Sequence, residues 1–176
     1  MTHPEGPSTR SVHLATQADP ATGAVTPPVV ETSAFAYPDL DTWRAVALKD
    51  AEGHIYSRNS NPTTGLLEEK VAALEGAPSA TSFATGMAAI STTLFALLSP
   101  GDRAVAVRDA YGATYLHFTQ ILPRFGIQCQ VCETDDHAAI EEAVARGCHV
   151  LYLESPTNPM LKVVDLARLA EAARRA

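Results

Sequence analysis

FATGMAAISTTLFALLSPGDRAVAVRDAYGAT, residues 83–114, is the stretch whose reading decides the fold. Its centre, RAVAV (Arg103 to Val107), is a short apolar run introduced by the turn pair Pro100-Gly101, which reads as a buried strand. Ahead of it, Gly86 to Leu98 reads as a helix, fed by a short strand in SATSFA, Ser79 to Ala84. Behind it, Thr114 to Leu122 is helical up to Pro123, a residue that cannot continue a helix unstrained. The alternation goes on toward the C-terminus. IQCQVC (127–132) is a strand, and Asp136 to Ala145 a helix capped by Asp135 or Asp136. CHVLYLE (148–154) is a buried strand, SPTNP (155–159) a loop, and Asp165 to Arg175 a helix. Strands alternating with helices imply an α/β fold with a parallel sheet covered on both faces.

Toward the N-terminus the pattern changes. Pro62 to Glu75 carries Leu66, Leu67, Val71 and Leu74 at helical spacing, with Asn61 as N-cap, Pro62 at the first helical position and Gly76 closing the end. A short helix is expected at Asp41 to Lys49. Residues 1–38 show no sustained period, and Pro27, Pro28 and Pro38 argue for an extended arm. The natural division is therefore an arm over 1–61 and an α/β part over 62–176.

Composition narrows the function classes. At 176 residues with 46% hydrophobic and 19% charged content, the chain is long enough for a real core. A net charge of -7 without a Lys/Arg cluster argues against nucleic acid as a partner. The longest apolar stretch, Met87 to Leu98, is too short to span a bilayer, so no membrane partner is expected. MTHPEGPSTR lacks the apolar core of a secretory signal, and three cysteines do not suggest a disulfide framework, which leaves the cytoplasm as the default. Cys129 and Cys132 form C-x-x-C within a strand, where that spacing puts them on opposite faces; no metal site is expected from them.

Ligands of open parallel sheets bind beyond the carboxyl ends of the strands. The residues there are Thr85-Gly86-Met87, Asp109-Ala110-Tyr111, Cys132-Glu133 and Glu154-Ser155-Pro156. Thr85-Gly86-Met87 opens a helix whose first N–H groups and dipole suit a phosphate, or it is an ordinary tight strand-to-helix turn capped by Thr85. Tyr111, next to Gly112, can stack on a planar ligand or exchange a proton; equally, it can simply cover the helix start. Asn158 sits in a Pro-bracketed loop that restricts it, and its amide can meet a ligand oxygen. Glu154 could serve a ligand or pair with a nearby arginine. No G-x-G-x-x-G and no P-loop occurs. In YSRNSNPTTG (56–65), Tyr56 and Arg58 form a phenol–guanidinium pair suited to an anion, with no local reason to be there.

The ordered series TGAVTPPVVETSAF, YSRNSNPTTGLLEEKVAALEG, TGMAAI, DAYGAT and ESPTNP, spanning residues 22–159, resembles the Cys/Met-metabolism, or transsulfuration, group of pyridoxal-phosphate enzymes. That group includes cystathionine γ-synthase, cystathionine γ- and β-lyases, methionine γ-lyase and O-acylhomoserine sulfhydrylases. The resemblance implies a fold-type I PLP-dependent transferase, of which this chain would hold an N-terminal portion of the large domain. It implies pyridoxal 5'-phosphate as cofactor, with Gly86 and Met87 on the phosphate, Tyr111 stacked on the ring and taking part in proton transfer, and Asn158 near the ring hydroxyl. It further implies a homo-oligomer, a dimer of dimers, in which Tyr56 and Arg58 reach the phosphate of a neighbouring subunit.

Some positions depart from the family pattern. Ala84-Thr85 stands where many members have Ser-Ser, and Ala113 where methionine γ-lyases typically have cysteine. His13 is followed by Leu14-Ala15, where a glycine two residues on is usual. The lysine that holds the cofactor and the aspartate that pairs with its pyridinium nitrogen lie, in the family, beyond the ESPTNP region. The lysines of this sequence, Lys49, Lys70 and Lys162, are outside any such context. The resemblance therefore implies γ-replacement or γ-elimination on homoserine esters or sulfur amino acids by the intact enzyme. These residues alone are expected to be inactive, or to serve as a non-catalytic assembly partner.

Overall fold

A computed structural model describes residues 6–13 and 18–176, in two compact units that divide between Ser82 and Phe83. Leu14 and Ala15, and the first five residues, lie outside the described residues.

The second unit, Phe83–Ala176, is built on strand β1, Arg103–Val107. Strands β2 (Gln128–Cys132) and β3 (Val150–Tyr152) flank it, giving the parallel order β2-β1-β3. The register pairs Val105 with Gln130 on one side and with Leu151 on the other. Alternation along β1 divides the core in two. Val105 and Val107 meet Ile140, Ala143, Val144, Val164 and Leu169 on one face. Ala104 and Ala106 meet Leu94, Leu98, Phe118, Leu122 and Ile127 on the other. Small alanines on the second face leave room for Phe118, which is 1% exposed. Cys129 packs on the Phe118 face and Cys132 on the Ile140 face, so the C-x-x-C pair is split as its spacing predicts.

The covering helices start where the sequence supplies caps. Helix α4 (Gly86–Leu97) is capped by Thr85, α6 (His137–Ala145) by Asp136 and α7 (Leu166–Arg175) by Asp165. Each cap side chain accepts a backbone N–H three residues on. The helix expected at 114–122 is less regular. Helix α5 is only Gly112–Leu116, followed by a π-helical turn at His117–Ile121 and a 3₁₀ turn at Leu122–Phe125. Pro123 has no N–H for an α-helical bond, and the changed winding accommodates it.

The first unit holds α1 (Pro7–His13), α2 (Leu40–Ala47) and α3 (Pro62–Glu75). Helix α1 falls within residues 1–38, where the sequence shows no sustained period and an extended arm is expected. It lies along α3, whose Lys70 donates to Ser11 O and Val12 O. Residues 79–84 do not form the expected strand and have no ladder partner among the described residues. A strand's hydrogen bonds are made to a neighbour, so a strand-forming sequence without one remains irregular. Ser82 instead donates its N–H and hydroxyl to Glu68 Oε1, at 2.7 and 2.9 Å. Beside the free edge of β3 lies an apolar groove of about 350 Å³, lined in part by Ile90, Leu97, Val150 and Leu151. No helix among the described residues is long and apolar enough to cross a membrane.

Candidate functional site

The N-terminus of α4 combines an extended cap with free donors. Thr85 is extended (φ -148, ψ 156), and its hydroxyl accepts from Ala88 N at 3.0 Å. That leaves the N–H groups of Gly86 and Met87 without a hydrogen bond among the described residues. A Cβ built on Gly86 would meet nothing within 4 Å, and its φ lies outside the left-handed region. Neither packing nor backbone conformation therefore requires glycine here. Its missing side chain keeps the two free N–H groups open to an anion, at the positive end of a 12-residue helix.

Met87 links this terminus to the next rim segment, because Thr114 Oγ1 donates to Met87 Sδ at 3.5 Å. Thr114 belongs to α5, whose start presents Tyr111 with half of its surface exposed. The Tyr111 N–H donates to Glu154 Oε2 at 3.1 Å, and Tyr152 Oη donates to the same oxygen at 3.4 Å. Burial, reinforced by the Glu154 charge, pushes the Tyr152 phenol upward, so that group stays a protonated donor. Glu154 is therefore a structural acceptor joining the exits of β1 and β3. The alternative of an arginine partner is not realised among the described residues: Arg108 pairs with Glu133, at 3.1 Å.

Asn158 lies exposed in the loop after β3. The base of that loop is closed by three bonds: Thr157 N to Lys162 O, Leu161 N to Thr157 O, and Lys162 N to Thr157 Oγ1, each 2.9–3.0 Å. Thr157 is 1% exposed, and Val164 N donates to Ser155 Oγ at 3.1 Å. Lys162 Nζ then reaches Asp109 Oδ2 at 2.8 Å and Asp135 at 3.6 Å. This ion pair joins the Asn158 loop to the β1 exit, two residues before Tyr111. Sequence reasoning passed over Lys162, because its partner is 53 positions away and no local pattern links them.

In the first unit, the Arg58 guanidinium carbon lies 4.0 Å above the centroid of the Tyr56 ring. Both side chains are exposed, and Arg58 makes no ion pair among the described residues. The segment is anchored to the arm by an antiparallel bridge between Ala34 and Tyr56 and by Phe35 N to Ile55 O at 3.0 Å. Tyr37 Oη adds two bonds, donating to His54 O and accepting from His54 N.

Residues 8–176 match the family model described as Cys/Met metabolism PLP-dependent enzyme. The chain belongs to this family. It is 36% identical over 170 residues to L-methionine gamma-lyase from Pseudomonas putida, covering 97% of this chain and 43% of that protein. It is also 36% identical to cystathionine gamma-synthase from Mycobacterium tuberculosis, covering 94% of this chain and 41% of that protein. Among solved structures, cystathionine gamma-synthase from Xanthomonas oryzae pv. oryzae, in complex with aminoacrylate and cysteine, superposes with a TM-score of 0.85. That match has 32% identity over 98% of this chain and 43% of that one. The chain thus spans less than half the length of these relatives and has their fold.

Pyridoxal 5'-phosphate is the family's cofactor. The residues present fit its phosphate end: two unpartnered N–H groups at an open helix N-terminus, with an exposed aromatic ring on the adjoining rim turn.

Proposed function

We propose that this chain contributes the phosphate-binding and ring-stacking half of a pyridoxal 5'-phosphate site in a transsulfuration enzyme. The observation that carries the reading is the open N-terminus of α4, whose Gly86 and Met87 N–H groups have no acceptor among the described residues. They would bind the phosphate, and Tyr111 would stack on the ring and take part in proton transfer. Asn158 would lie near the ring hydroxyl. When bound, the cofactor supplies an electron sink for substrate carbanions. Glu154 holds the Tyr111 backbone in place.

Tyr56 and Arg58 serve the phosphate of a neighbouring subunit in a homo-oligomer. Support comes from their shared exposure and from an Arg58 guanidinium already stacked on the phenol, with its charge unpaired among the described residues. A planar fork of donors suits a phosphate dianion. Residues 1–61 act as the arm carrying this clamp, and 62–176 as the first part of the cofactor domain. The compartment is the cytoplasm.

The reaction is γ-replacement on an O-acylhomoserine with cysteine or sulfide as nucleophile. Identity does not separate synthase from lyase, since both relatives stand at 36%. Ala113, in place of the cysteine typical of methionine γ-lyases, tips the choice toward replacement. γ-Elimination is the second branch.

The 176 residues by themselves are inactive, and their alternative role is that of a non-catalytic assembly partner. The placement of the lysines favours this. Lys162 is held protonated by Asp109, Lys70 is bonded to α1, and Lys49 lies exposed in the turn after α2. An ammonium held in its charged form is a poor nucleophile.

The test compares pyridoxal 5'-phosphate with pyridoxal, which lacks the phosphate, in absorbance titrations. The parent protein should prefer the phosphorylated form by about tenfold or more, and Gly86→Val should abolish the preference without lowering the melting temperature. Equal affinity of the parent for both compounds would refute the site.

A further inference from the structure

We infer that Lys162 is a positioning residue that couples the two rim segments of the site, acting through Asp109 on the Tyr111 turn and through Thr157 on the Asn158 loop. The inference rests on the cofactor-site reading above and adds to it a residue with no role in that reading.

The geometry is specific. Lys162 uses three groups at once. Its carbonyl accepts from Thr157 N at 3.0 Å, and its N–H donates to Thr157 Oγ1 at 3.0 Å, closing the loop around Asn158. Its ammonium forms an ion pair with Asp109 Oδ2 at 2.8 Å. Both partners are themselves fixed. Thr157 is 1% exposed. The Asp109 backbone N–H donates to Thr134 Oγ1 at 3.0 Å, and Thr134 is also 1% exposed. The side chains of Lys162 and Asp109 retain 33% and 21% of their exposure, partly withdrawn from competing water.

The preceding residue, Leu161, has φ 54, an uncommon backbone state for a branched residue. Neighbouring bonds hold the turn in this state, and the ammonium adds an ion pair from this loop to β1's exit. Glu154 makes a parallel link to Tyr111 N on the other side of the rim. With both links intact, Tyr111 and Asn158 move as one body; without Lys162, the Glu154 bond alone joins the two exits and both segments loosen. Asp135 at 3.6 Å adds charge but not a second anchor, since 73% of its side chain is exposed.

The experiment is amide hydrogen exchange on the full chain without cofactor, comparing the parent with Lys162→Met and Lys162→Arg. Methionine keeps the apolar stem and removes the charge. Exchange should rise about tenfold in Lys162→Met at the amides of Thr157 and position 162, and equally at Asp109 and Tyr111 across the gap. Lys162→Arg should bring both sets back toward the parent, while the melting temperature stays within a few degrees throughout. Faster exchange confined to the 157–162 loop, or unchanged exchange everywhere, overturns the coupling. Pyridoxal 5'-phosphate titration of the same three proteins keeps the two readings separate. A parent that binds no cofactor counts against the site, whereas the exchange pattern alone decides the coupling. In a parent that binds, Lys162→Met should weaken affinity about tenfold, and Lys162→Arg about twofold or less.

Discussion

Asn61 is the residue on which the Tyr56–Arg58 segment depends, and replacing it allows a two-sided test. It is 7% exposed and uses both ends of its amide. Oδ1 accepts from Thr63 N at 2.8 Å as the N-cap of α3. Nδ2 donates to Val30 O and to Ser57 Oγ, each at 3.0 Å. The N–H of Val30 is held from the other side by Thr63 Oγ1 at 2.9 Å, so one arm residue is gripped twice by the first turn of α3. Asn61→Ala removes the cap, worth about 1 kcal/mol, and leaves the half-buried Val30 carbonyl without this donor, worth about 1–2 kcal/mol more. The total expected loss is about 2–3 kcal/mol. Asn61→Asp keeps the capping acceptor but cannot donate, so it should lose only the arm part, about 1–2 kcal/mol. Urea denaturation gives the totals, and amide exchange locates them. In Asn61→Asp, Thr63 N–H should stay protected while Val30 N–H exchanges about tenfold faster. Equal losses for the two variants, or an unchanged Val30 amide in Asn61→Asp, would refute the view that this side chain ties the arm to the helix.

Two further outcomes follow from the same geometry. If Tyr56 and Arg58 act on a neighbouring subunit, Arg58→Met and Gly86→Val should each abolish tight pyridoxal 5'-phosphate binding, yet their mixture should regain roughly a quarter of the sites. That fraction is what random two-fold pairing of the variants produces, and a mixture with no recovery would place the clamp in cis. The Asp109–Lys162 pair sets a pH window. Hydrogen bonding to Lys162, then to Thr134, holds the Asp109 carboxyl below its usual range, and Asp109 holds Lys162 above its own. The pair's contribution to stability should be fully present between about pH 4 and 10, the unfolded values. It is lost as pH falls through the lowered Asp109 value or rises through the raised Lys162 value. Denaturation midpoints against pH should flatten at both ends in Lys162→Met; unchanged curves would count against the pair.

Strand β1 was legible because four consecutive buried residues follow a Pro-Gly turn, and α3 because Asn61-Pro62 and Gly76 mark its two ends. The candidate site residues stand out in the sequence because each is, or sits beside, a glycine or proline, whose backbone behaviour differs from that of other residues. Gly86, Tyr111 beside Gly112, and Asn158 before Pro159 are of this kind. Lys162 and Asp109 are not. Their bond joins segments whose proximity comes only from placing β3 beside β1, and neither residue has a local motif to announce it.

The amino-acid sequence by itself determined where the side-chain-capped helices α3, α4, α6 and α7 begin and that Arg103–Val107 is a buried strand. Those properties follow from local backbone sterics, capping and the two-residue alternation of side chains along a strand. Tertiary structure decided the rest. It left 79–84 irregular, since a strand exists only against a neighbour, and gave Glu154 the Tyr111 amide rather than an arginine. It also made Lys162 the brace between two rim loops. Each of these outcomes depends on a partner distant in the chain, and such a partner is chosen by packing rather than by any local pattern.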